Sequence, residues 1–216
     1  MNRKVLDKIM KVIKPGVEIL DRFDGEEVLK KLELCGRVCY KSEGKVGEGT
    51  AEKFVRMIMK SRHESVLEHF SFSVRFICDR GVTHEIVRHR LASYSQESTR
   101  YCNYSQDKFG REITVIEPCY LVENPVGYSI WKKACQEAEK AYFNMLDNGH
   151  TPQEARAVLP NSLKTDLVMT ANIREWRHFL KLRTDKAAHP QMREVALLLL
   201  NELKTKIPVL FEDIES

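Results

Sequence analysis

The 216-residue sequence predicts an α+β fold in which helices pack on a central, largely antiparallel sheet. Three observations predict it. Apolar residues recur at helical spacing in some segments and at alternate positions in others. The two kinds of segment do not alternate strictly, as parallel βαβ folds require. With 43% apolar and 31% charged residues, the chain can bury about 70% of its unfolded surface in one core. No internal repeat and no Gly/Ser-rich linker interrupts it, so residues 1–216 are expected to form a single domain.

The elements follow in order. Asp24 can cap a first helix that carries Val28, Leu32, Cys35 and Cys39 at helical spacing. A second follows Thr50, with Phe54, Val55, Ile58 and Met59 as its apolar stripe. From Phe70 the period shortens to two: Phe70, Phe72, Val74 and Phe76 alternate with Ser71, Ser73 and Arg75, as in a half-buried strand. Asp79-Arg80-Gly81 is expected to turn the chain into a short helix over Thr83 to Arg90, followed by an irregular polar stretch to Tyr104. A strand at Ile113 to Ile116 is closed by Pro118. A long helix is expected from about Val126 to Leu146, stopped by Asn148-Gly149, and Thr151-Pro152 opens a short one. Lys164 to Thr170 reads as a strand, and Asn172 can cap a helix through Leu182. Pro190 opens a last amphipathic helix that ends before Pro208.

Composition excludes several classes of function. The longest aliphatic run, Val195 to Leu200, falls far short of the roughly 20 residues that span a bilayer. Met1-Asn2-Arg3-Lys4 leads into no signal-type apolar core, so a cytoplasmic protein is expected, without membrane contact. The net charge of +4, from 35 basic and 31 acidic residues, is too slight an excess to imply nucleic acid by itself, and local clustering matters more. The six cysteines include no C-x-x-C pair and read as reduced thiols.

Two His-Glu stretches raise a zinc reading and fail it. His63 and His69 are six residues apart, and His84 and His89 five, whereas a helix needs a spacing of four to turn both rings to one metal. No metal is expected. The densest polar stretch runs from Arg88 to Tyr101 and holds three arginines, a histidine, three serines and a glutamine. On a regular helix Arg88 and Arg90 would point about 160° apart, toward two anions rather than one. The plain alternative is a solvated basic helix end with Arg88 paired to Glu85. Farther on, with Asn172 as zero on a helical wheel, Arg174 and His178 fall near about 200° and 240° and Arg183 near about 20°. One helix could therefore touch two ligands, although Arg183 could equally serve the C-terminal dipole. Trp176, Ile173 and Leu180 read as core, and His69, His84, His150 and His189 carry no assigned role.

Arg88-His89-Arg90, seven residues, then Ser98, continued by Arg100-Tyr101, resembles the signature of the flavin-dependent thymidylate synthase (ThyX) family. HESVLEHFSFS from His63, EARAVLP from Glu154 and ANIREWRHFLKLR from Ala171 resemble further blocks of that family, so the resemblance extends from His63 to the C-terminus. It implies a ThyX-like fold and an FAD site built from His63, Ser65, Arg88, His89, Arg90, Gln96, Asn172, Arg174 and His178. It implies a dUMP site built from Glu85, Arg88, Gln96, Glu97, Ser98, Arg100, Arg156 and Arg183, with Arg183 as the catalytic residue that activates the pyrimidine. Glu85 stands where the family often has Gln, and Ser95-Gln96 where Asn-Glu or Asn-Gln is common.

The implied reaction converts dUMP to dTMP, with FAD as cofactor and methylenetetrahydrofolate and NADPH as co-substrates. The implied assembly is a homotetramer whose active sites are shared between subunits. Ser98 is expected to bind nucleotide rather than attack it, because no adjacent base is evident. A reading from another class makes the Arg-rich stretch an RNA-binding surface, with Tyr94, Tyr101 and Tyr104 as stacking platforms. A third is a flavin reductase without nucleotide chemistry.

Overall fold

Alternating burial builds the sheet. The computed structural model describes residues 10–106 and 110–215; Met1 to Lys4, read above for a leader, lie outside them. In β3 (Ser71–Asp79) Phe72, Val74, Phe76 and Cys78 are buried, and in β6 (Lys164–Asn172) Thr165, Leu167, Met169 and Ala171 are. With β2 (Gly16–Ile19) and β4 (Ala92–Gln96) they form an antiparallel four-stranded sheet in the order β2-β3-β6-β4. A separate parallel pair joins β1 (Lys11–Ile13) to β5 (Thr114–Ile116), with Val12 opposite Val115. The α+β class is as expected; β1 and β2 are too short to carry a pattern of their own.

The helices are α1 (Gly25–Val38), α2 (Thr50–Lys60), α3 (Arg80–Ile86), α4 (Pro125–Asp147) and α5 (Pro152–Ala155). They continue with α6 (Ile173–Arg183), α7 (Pro190–Lys206) and α8 (Pro208–Phe211). Asp24 caps α1 by accepting from the amides of Glu26 and Glu27. Gly36 lets α1 approach α2, since a Cβ there would lie 2.6 Å from the Phe54 ring. Among the described residues no helix is long and apolar enough to cross a membrane.

Three expectations need correction. The Asp79-Arg80-Gly81 turn is instead a helix start: the Asp79 carboxylate accepts from the Val82 amide at 2.8 Å, and α3 begins at Arg80. That helix ends at Ile86, so Arg88, His89 and Arg90 are not helical and the wheel argument does not apply to them. The stretch read as irregular contains β4, an edge strand whose continuation docks on β6 through Glu97 N–H to Asp166 O at 2.9 Å.

The chain packs as two compact units, each assembled from three separated segments. One comprises the segment ending at Pro15 with Ile77–Ile86 and Gln96–Leu167; its core holds Tyr104, Ile113, Val115, Cys135, Tyr142 and Leu163. The other comprises Gly16–Phe76, Val87–Ser95 and the segment beginning at Val168. Its centre is Trp176, fully buried, stacked on Phe72 at 5.1 Å and edge-on to Phe179 at 5.7 Å.

Candidate active site

In the second unit, β6 runs directly into α6. Asn172 ends the strand and caps the helix, its side-chain oxygen accepting from the Glu175 amide at 2.9 Å. This places the Glu175 carboxylate in the first turn, where its Oε1 lies 3.1 Å from Nδ1 of His89. The other ring nitrogen of His89, Nε2, is 3.2 Å from Nε of Arg183, the last residue of α6. Arginine Nε–H can only donate, so Nε2 accepts, the ring is neutral, and its proton sits on Nδ1 facing Glu175. Burial and the Arg183 charge push the His89 pKa down against the opposing pull of Glu175. The two side chains are only 2% and 8% exposed. Phe179 packs edge-on against the imidazole at 4.9 Å and His178 at 5.5 Å. The Tyr94 hydroxyl, on β4, donates to the His89 carbonyl, and burial raises that phenol to about 12.

His89, Glu175 and His178 bring ligand-type atoms within 4.8 Å of one another. With both nitrogens of His89 already committed and a guanidinium at Nε2, the arrangement is a hydrogen-bond chain that disfavours a second cation.

The exposed side of α6 lines an open cleft of about 790 Å³ together with Glu64, Glu68 and Leu91. Arg174 reaches across it to Glu68 at 2.6 Å and Glu64 at 3.6 Å. His178 is exposed beside it. His63 is exposed and stacks on Tyr40, whose hydroxyl is 2.7 Å from its Nδ1; Ser65 is exposed on the turn Glu64–His69. Arg88 and Arg90 present their side chains to solvent. Arg177, by contrast, is buried and tied to Asp213 at 2.7 and 2.8 Å.

In the first unit, the Gln96 amide donates to the Thr83 and Thr165 hydroxyls at 3.2 and 3.4 Å. Glu97 accepts from the Tyr104 hydroxyl at 3.0 Å and from Lys164 at 3.1 Å, and Lys164 also meets Asp166 at 2.6 Å. Burial alone would lower the Lys164 pKa, but Asp166 and Glu97 together raise it, so the amine stays charged. Burial first, and Glu97 second, push the Tyr104 phenol up. These groups line a cavity of about 420 Å³ with Cys102 and Leu163. Ser98 Oγ accepts from the Arg100 amide at 3.3 Å and, among the described residues, bonds no histidine or carboxylate. Arg100 is exposed over the Tyr101 ring at 5.3 Å. Arg156 is exposed at the start of the turn Arg156–Val158, after α5, whose Thr151 and Glu154 form a capping box. Glu85 is half-buried on α3.

The structure thus brings His89, His178 and Arg183 together in one unit and Gln96, Glu97 and Ser98 together in the other. Sequence reasoning passed over Glu175, Lys164 and Asp166. Glu175 had a signal, the third helical position after an Asn cap; nothing local singled out the other two.

A family profile described as "Thymidylate synthase complementing protein" matches residues 19–209. A protein of Geobacter sulfurreducens named flavin-dependent thymidylate synthase is 35% identical over 188 residues, covering 83% of this chain and 79% of that protein. Another of that name, from Mycolicibacterium gilvum, is 35% identical over 219 residues, covering 93% and 84%. Among solved structures, the UMP/dUMP methylase PolB from Streptomyces cacaoi, bound with 5-Br dUMP, aligns with a TM-score of 0.78 at 25% identity, over 94% of this chain and 96% of that one.

Proposed function

This chain belongs to the flavin-dependent thymidylate synthase family, and from that premise we propose that it methylates dUMP to dTMP, using FAD, methylenetetrahydrofolate and NADPH. It is an enzyme of the methyltransferase class. One observation carries the reading: His89 of the Arg-His-Arg motif and Arg183 at the end of α6, 94 residues apart in sequence, meet at 3.2 Å in a part-buried contact.

The donor set suits a flavin dinucleotide. Arg88 and Arg90 offer exposed planar forks for its diphosphate, as Arg174 would on leaving Glu68 and Glu64, and His63, Ser65, Gln96, Asn172 and His178 offer further polar groups. His89 serves that site from behind, its ring enclosed. When bound, the flavin supplies the redox chemistry. The protein's own part is positioning and charge. Arg100 and Arg156 hold the nucleotide phosphate with Ser98, while Glu85, Arg88, Gln96 and Glu97 orient the rest of dUMP. Arg183 stabilises negative charge as the pyrimidine ring nitrogen loses its proton, which makes carbon five nucleophilic without a covalent bond to protein. Ser98, lacking a base, binds and does not attack. The proposal includes a single catalytic domain, a homotetramer with shared sites, a cytoplasmic location, and no nucleic-acid or membrane partner.

Purification tests it first. The protein should be yellow, and reduction of the flavin by NADPH followed by dUMP and methylenetetrahydrofolate should yield dTMP. A colourless protein that copurifies with RNA would support the RNA-binding reading. A yellow protein whose flavin spectrum ignores dUMP would be a flavin reductase.

A further inference from the structure

We propose that Glu175 is a positioning residue for Arg183 and acts through His89, whose ring it holds with the proton on Nδ1. The inference deepens the function proposed above and rests on it for what Arg183 does. Its geometry is independent of that reading.

Arg183 stands at the C-terminal end of α6 on three rotatable methylenes, so the helix alone does not fix its guanidinium. An acceptor for Nε–H, the inner nitrogen, sets the plane in which the two Nη groups project. His89 Nε2 is that acceptor at 3.2 Å, and it can accept only while it carries a lone pair. If the imidazole proton sat on Nε2, or on both nitrogens, an N–H would face an N–H and this contact would be lost. Glu175 selects against the Nε2 tautomer by accepting a hydrogen bond from Nδ1–H at 3.1 Å, while burial and the Arg183 charge oppose the doubly protonated ring. The two side chains are 2% and 8% exposed, which shields their contact from bulk solvent.

The rest of the unit holds the chain of contacts in register. Asn172 fixes Glu175 through its amide, the Tyr94 hydroxyl fixes the His89 backbone, and Phe179 packs on the ring at 4.9 Å. The order Asn172, Glu175, His89, Arg183 thus runs from the helix cap to the guanidinium. His89 is consequently an internal relay of orientation.

Histidine-labelled full-length protein, studied by long-range proton–nitrogen NMR, tests this, with the His89 signals assigned by their loss in His89→Gln. The expected wild-type result is a protonated Nδ1, a lone-pair Nε2 and an Arg183 Nε–H protected from exchange. In Glu175→Leu that tautomer and that protection should both be lost. Its kcat for dTMP formation should fall by roughly tenfold to a hundredfold, the cost of a slightly misplaced catalytic group, with KM for dUMP essentially unchanged. Glu175→Gln can still accept a hydrogen bond from Nδ1–H through its amide oxygen, so it should keep the tautomer and recover most of the kcat lost in the Leu variant. A wild-type His89 protonated on Nε2 would overturn the inference, as would a Glu175→Leu enzyme with wild-type kcat. If the Leu variant does not fold, the Gln variant decides: the wild-type tautomer supports the inference and an Nε2 proton refutes it. A wild type with the expected tautomer and protected Nε–H that nevertheless makes no dTMP would sink the enzymatic reading and leave the positioning chain standing.

Discussion

Arg183 is half-buried, and its Nε–H donates to Nε2 of His89, a neutral ring that adds no opposing charge at that contact. Such a cation stabilises charge that develops beside it. Arg183→Ala should therefore abolish dTMP formation and leave flavin bound. Loss of about 3 kcal/mol of transition-state stabilisation slows turnover more than a hundredfold; product assays, checked against flavin absorbance, measure it. Ser98→Ala should weaken dUMP binding yet keep measurable synthesis, and mass spectrometry should find no nucleotide on Ser98 in the wild type. A trapped adduct would contradict the non-covalent route. The residues proposed for this site were named singly, through the family resemblance. Their contacts were not, because a 94-residue separation leaves no local pattern, and Glu175 looks on paper like any first-turn acid.

Among the elements, α6 carries the most, since its cap, its buried face and its last residue serve different ends. Asn172→Ala removes the cap and should cost about 1 kcal/mol in urea unfolding. The same helix ties down the segment after α8 through Arg177 and Asp213, and Arg177 also donates to the Leu210 carbonyl. The Arg177 guanidinium holds the Asp213 carboxyl below the ordinary carboxylate range. A carboxyl titrating lower in the folded than in the unfolded chain adds stability above its unfolded value and loses it as pH falls through the folded one. Acidification should thus loosen this contact, and Asp213→Asn should flatten the acid limb of the melting-temperature profile. Elements with a strong period were readable: α4, β6 and α6 lie within two residues of expectation. β4 was not, because Ala92-Ser93-Tyr94-Ser95-Gln96 has no β-branched residue and takes its strand form from pairing beside β6. The start of α3 was hidden by Arg80-Gly81, which imitates a turn after Asp79.

For the whole molecule, the proposed division of ligands falls on arginines from different units, Arg90 in the second and Arg156 in the first. Arg90→Ala should leave the column depleted of FAD, while Arg156→Ala should stay yellow and need tenfold to a hundredfold more dUMP for saturation, roughly one charge-assisted phosphate contact. Equal loss of both ligands in both variants, with fold intact, would mean one diffuse cluster of charge. Mass measurement of the native protein should give a tetramer. The interleaving of the two units has a further consequence, for how the chain reaches this state. The first unit is not complete until Leu167 has been made, and the second gathers α1 and α2 around helices that begin after Val168. No contiguous fragment contains one unit without passing through the other, and long loops must close before either core repays their entropy. Synthesis therefore leaves the early helices waiting for their partners, so refolding should be slow for a protein of this size, and no stable unit should be released by a single proteolytic cut.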